Sequence, residues 1–218
     1  MVTDWLLIHP PLLGPAVLGP LARALRDRGH AVALPDLRSA VAVAAGWPGR
    51  YVAGAAATGP ADVVLGFSGA GVVLPAVAEA VGARDVVWVD ALVPARSGET
   101  APSEAIPGLI ERFVGEDGRI AEWTTWWGPD TMAELIPEPA LRTAVEASTP
   151  RLPADFYDVA VPVPDRWPEA GARYVQLSAG YDSDAAEARA RGWDVRGGPD
   201  GEHLDIANAP ARVLDLLS

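Results

Sequence analysis

Short apolar runs alternate with longer amphipathic stretches over the first 95 residues of the chain and again after residue 170. Six of these runs read as strands: DWLLIH (4–9), AVALP (31–35), ADVVLGF (61–67), DVVWVD (85–90), ARYVQLS (172–178) and GWDVRG (192–197). Stretches rich in alanine and arginine predict helices over 15–28, 41–57, 70–82, 184–191 and 208–217. The strand runs are continuous in Val, Leu and Ile instead of alternating with polar residues, which is the pattern of strands covered on both faces. Regular strand–helix alternation then implies a parallel sheet joined by right-handed crossovers. The pattern predicts a doubly wound α/β fold with a mostly parallel sheet of about six strands.

Residues 96–170 break this rhythm, being rich in Pro, Glu and Trp. Trp123, Trp126 and Trp127 stand at i, i+3 and i+4, which would place them on one face of a helix. Such a face can pack the segment onto the core, and it can also line an apolar pocket beneath a lid. The stretch is therefore expected to be a helical, lid-like insertion, with these three tryptophans as substrate-binding residues.

At 218 residues, half of them hydrophobic, the chain is long enough to form one well-buried domain over 1–218. Cysteine is absent, which excludes disulfides and thiolate catalysis. All 17 basic residues are scattered arginines set against 29 acidic ones, for a net charge of −12. That balance disfavours nucleic acid and anionic membranes as partners. MVTDWLLIHPPLLGP lacks leading positive charges and is broken by prolines, so it reads as a first strand and not a signal peptide; the cytoplasm is the expected compartment. No metal-ligating cluster stands out, and no cofactor is expected.

The stretch VVLGFSGAGVVLP (63–75) sets Ser68 between a strand and a helix within the spacing G-x-S-x-A. In parallel sheets, ligands sit beyond the carboxyl ends of strands, where loops lead into helices. A sharp turn there needs small flanking residues, here Gly66 and Ala70, and aims the hydroxyl away from the sheet. The amide of Gly69 would open the helix and could face an oxyanion. A phosphate-cradling reading is weak, because no Walker lysine and no G-x-G-x-x-G is present. A neutral serine needs a base, and of the three histidines His203, after the last strand, and His9, ending the first, are expected on the same sheet edge as Ser68. His30 follows a helix and should lie on the opposite edge.

In these features the chain resembles the small single-domain bacterial members of the α/β-hydrolase family. GFSGAG resembles that family's nucleophile elbow. LLIHPPLLGP…LARALRDRGHAVALPDLR resembles its first strand, oxyanion loop and first helix, VVWVDALVP the strand after the nucleophile helix, and GEHLDIANAPARVLDLL the terminal histidine loop and helix. The resemblance is diffuse over 100–170. It implies a Ser-His-Asp triad of Ser68, His203 and an aspartate. Asp90, ending its strand beside that of Ser68, is favoured; Asp182, nearest the family's usual post, is the alternative, although DAAE (184–187) close by has the spacing of a helix cap. His9 resembles a structural histidine of the family. The residues that follow it depart from the family pattern, since Pro10 and Pro11 have no N–H to give. The second oxyanion donor would then be Leu12 or Leu13, beside Gly69.

These residues predict a serine hydrolase of the esterase or thioesterase kind, acting on an ester, thioester or lactone of a small apolar molecule. The double proline keeps an alternative open, in which the same serine and histidine act as acid–base groups of a lyase or cyclase. A non-catalytic binding protein on this scaffold is a third reading.

Overall fold

All six apolar runs become strands of one parallel sheet in the computed structural model, which describes residues 2–102 and 105–218. The strands are β1 (Asp4–Ile8), β2 (Ala31–Ala33), β3 (Val63–Ser68), β4 (Asp85–Ala91), β5 (Ala172–Gln176) and β6 (Asp194–Gly197). Their order across the sheet is β6-β5-β4-β3-β1-β2. The flanking helices are α1 (Gly19–Asp27), α2 (Trp47–Ala56), α3 (Leu74–Val81), α4 (Asp182–Ala190) and α5 (Pro210–Leu217).

Successive side chains of a strand point to opposite faces, so a run apolar at every position serves two cores. On one side Leu6, Ile8, Val64, Val86 and Trp88 pack with α2, α3 and α4. On the other, Trp5, Leu7, Leu65, Val87 and Val89 pack with α1 and α5. Proline and glycine account for most boundary shifts from the sequence expectation. The second strand stops at Ala33, just ahead of Pro35. The predicted helix 41–57 begins only at Trp47, after Gly46 turns through a left-handed φ of 71°. The predicted helix 70–82 opens as a 3-10 turn, Gly69–Val73, and becomes α-helical where Pro75 enters the first turn, the one place in a helix that needs no N–H from it.

Within 96–170, residues 103 and 104 lie outside the described residues. The rest carries two short antiparallel ribbons, Gly98–Thr100 with Val161–Val163 and Arg119–Ile120 with Leu152–Pro153, and helices that include Pro129–Leu135 and Pro139–Ser148. The tryptophan helix does not form as expected. Trp123–Thr125 makes a single 3-10 turn, and Gly128 (φ 79°) followed by Pro129 ends it and starts a new helix. Among the described residues, no helix is long and apolar enough to cross a membrane.

Candidate active site

Strand β3 ends at Ser68 with φ 55° and ψ −129°, a backbone region that non-glycine residues rarely occupy and that marks strained functional turns. Close packing holds the turn in place. A Cβ on Gly66 would lie 2.5 Å from a methyl of the fully buried Leu74, and one on Gly71 only 2.1 Å from the Leu92 carbonyl oxygen. Gly69, by contrast, would meet Pro11 at an ordinary 3.6 Å. Ala70 needs no such relief, since its methyl packs fully buried. The steric demand therefore falls on Gly66 and Gly71.

The β3–β4 ladder pairs Phe67 with Val89 but Ser68 with Ala91, so Asp90 is an extra residue in its strand. Its φ of 42° belongs to this bulge, which turns the side chain toward the end of β5. There the buried carboxylate accepts hydrogen bonds from the amides of Leu177 (2.8 Å) and Ser178 (3.1 Å), from Ser178 Oγ (2.5 Å) and from His203 Nδ1 (2.8 Å). Burial alone would raise its pKa; the bonds from His203, Ser178 and the two amides outweigh that and hold the carboxyl below its usual range. With the carboxylate ionised, Nδ1 of His203 is the donor of this bond. The imidazole lies between two stacked rings, Phe67 at 4.4 Å and Tyr181 at 4.8 Å between centroids. Asp182 does not reach this cluster; it is exposed on the first turn of α4 and accepts from Gln176 Nε2 at 2.5 Å. The cap expected from DAAE is also absent, because Asp184 turns to accept the Val93 amide at 2.7 Å.

The Ser68 hydroxyl is hydrogen-bonded to the phenol of Tyr181, Oγ to Oη 3.0 Å. Tyr181 is thus a member of the site that sequence reasoning missed. A tyrosine in the loop after β5 has no spacing to mark it, and only the closeness of the β3 and β5 loops brings it in. Burial is the main force pushing its phenol up to about 12.

His9 organises the loop that faces Ser68. Its Nε2 accepts the Leu37 amide (3.0 Å), which places the proton on Nδ1, within reach of the carbonyls of Leu13 (2.7 Å) and Pro10 (3.0 Å). Burial keeps this imidazole below its normal pKa and hence neutral. The Leu13 amide is already spent on the Pro10 carbonyl at 3.1 Å, so of the two expected donors only Leu12 is left to face the site. His30 sits away from Ser68, its ring edge-on to Trp5 at 6.1 Å.

A cavity of about 520 Å³ opens over Ser68, His203 and Tyr181. Although they share no helix, Trp123, Trp126 and Trp127 all line it. Trp126 stacks on Phe113 at 4.2 Å and 5°, with its Nε1 donating to the Ala121 carbonyl. Among the described residues, no group of three or more His, Asp or Glu side chains could hold a metal ion.

The six-stranded parallel sheet, with helices on both faces and a helical insertion after β4, is the α/β-hydrolase fold. A mutant of polyneuridine aldehyde esterase superposes with a TM-score of 0.72 at 17% identity, covering 100% of this chain and 98% of that one. An extracellular α/β-hydrolase from a Paenibacillus species gives 0.70 at 17% identity, over 98% and 96% of the two chains. Tomato methylketone synthase I gives 0.67 at 14%, over 100% and 96%. No family model and no curated protein matches the chain by sequence.

Proposed function

We propose that the protein is a serine hydrolase that cleaves an ester, thioester or lactone of a small apolar substrate, with Ser68 as nucleophile, His203 as base and Asp90 as the acid that orients the base. The observation that carries this reading is the His203–Asp90 bond of 2.8 Å beside a strained Ser68 on the wall of one apolar cavity. His203 Nε2 takes the serine proton as Oγ bonds to the substrate carbonyl carbon. The amides of Gly69 and Leu12 receive the charge that develops on the carbonyl oxygen. His203 then returns the proton to the leaving oxygen or sulfur, and water releases the acyl group by the same steps in reverse. The aromatic walls favour an apolar acyl or alcohol portion. Similar folds that carry the names esterase and hydrolase support the reading.

The test is labelling with a fluorophosphonate, followed by peptide mapping, together with turnover of p-nitrophenyl esters. Covalent label on Ser68 is expected, and Ser68→Ala is expected to remove both label and turnover while its circular dichroism and Tm stay close to wild type. A Ser68→Ala variant that keeps the wild-type rate overturns the proposal. A folded wild type that takes no label would turn attention to lyase or cyclase chemistry at the same pair.

A further inference from the structure

The two hydroxyls that meet at 3.0 Å are chemically unequal. A phenol is a far stronger acid than an alkyl alcohol and the better hydrogen-bond donor, so Tyr181 donates and Ser68 Oγ accepts. The serine's own proton is then not spent on this bond. The tyrosine is held in place for this, with its ring lying at 15° to the imidazole and 4.8 Å from it. A phenol pushed up to about 12 remains protonated through the neutral range and acts as a fixed donor, not as a proton source. Fixed donors are scarce here, because Pro10 and Pro11 offer no N–H and the Leu13 amide is already engaged.

Resting on the hydrolase reading above, we infer that Tyr181 is a catalytic residue whose hydroxyl hydrogen-bonds to Ser68 Oγ and eases its departure when the acyl-enzyme breaks down. During attack on substrate, a donor on Oγ gives little help, since charge is leaving that atom. In deacylation the direction reverses. Water gives a proton to His203 Nε2 as its oxygen bonds to the acyl carbon. The C–Oγ bond then breaks, the electron pair returns to Oγ, and His203 delivers the proton there while the carboxylic acid leaves. Tyr181 keeps its proton throughout and stabilises the charge that builds on Oγ as the bond breaks.

The experiment is pre-steady-state kinetics of wild type and Tyr181→Phe with p-nitrophenyl acetate, alongside fluorophosphonate labelling of both. The phenylalanine keeps the ring against His203 and deletes only the donor. Loss of one fixed donor is expected to slow deacylation about 10- to 100-fold, at or below the cost of removing one oxyanion-hole donor. Acylation should change by less than about threefold, a change worth well under one hydrogen bond. The variant should then release a burst of one p-nitrophenol per enzyme, accumulate an acyl adduct visible by intact mass, and show kcat and KM falling together. Equal slowing of both steps, or an unchanged kcat without a burst, overturns the inference while labelled Ser68 leaves the hydrolase reading standing. A folded wild type that neither labels nor turns over removes both.

Discussion

Asp90 has no exposed surface and accepts bonds from four donors, so its neighbours have no water to fall back on if it is removed. Asp90→Asn substitutes an amide for one of the accepting oxygens and sets an N–H against donors. Activity on p-nitrophenyl esters should fall by about 10⁴-fold, the loss seen when a triad carboxylate becomes an amide. The folded carboxyl titrates below its unfolded value, so its stabilisation is present above about pH 4 and disappears as pH falls through the folded pKa. Thermal melts of wild type and Asp90→Asn between pH 3 and 7 should therefore converge at the acid end. Asp184 has the opposite sign. Burial raises its carboxyl, so its contribution is present at low pH and lost as pH rises through the folded pKa. Asp184→Asn can keep the bond from the Val93 amide without a buried charge, and should raise Tm at pH 8 more than at pH 4. The placing of Ser68, Asp90 and His203 in the candidate site could be read from the sequence because each follows or ends a recognisable strand on one edge of a parallel sheet. Tyr181 could not, nor could the bulge at Asp90, since both arise from contacts between segments distant in the chain.

At the level of elements, the turn after β3 makes a graded steric prediction. Gly71→Ala drives a methyl into the backbone oxygen of Leu92, and Gly66→Ala meets a Leu74 side chain with nowhere to go. Each should cost about 1–3 kcal/mol, the usual range for overpacking, with Gly71→Ala the more severe; Gly69→Ala should cost clearly less in denaturant melts. The same elements show what periodicity can deliver. The central strands were visible because burial on both faces leaves unbroken apolar runs, whereas the edge strands β2 and β6 are only partly buried, and helix starts shifted where 3-10 turns, Gly46 and Pro75 delayed the regular hydrogen-bond pattern. The i, i+3, i+4 spacing of the tryptophans misled for a different reason. Gly128–Pro129 follows at once and leaves room for only one turn, yet the three rings still gather around the same cavity.

For the molecule as a whole, the cavity between sheet and insertion is the place where binding and stability meet. A trifluoromethyl ketone of an apolar chain, which adds to a serine hydroxyl without turning over, should raise Tm. At 100 times its Kd the gain is about 2.7 kcal/mol in the wild type, and it should shrink in Ser68→Ala. Trp127, 41% exposed at the rim, allows the insertion's part to be separated. Trp127→Ala should leave stability within about 0.5 kcal/mol while raising KM for long-chain esters more than for acetate. The strand order also sets a timetable. β2, β1, β3 and β4 are neighbours and come from the first 91 residues, so a nascent chain can lay down that half-sheet early. Asp90 would wait there, its bulge already made, until β5 brings Ser178 and the final loop brings His203. A ribosome stalled short of residue 203 would thus display a scaffold that already holds Ser68 and Asp90 but lacks the proposed base, and it should take no fluorophosphonate label.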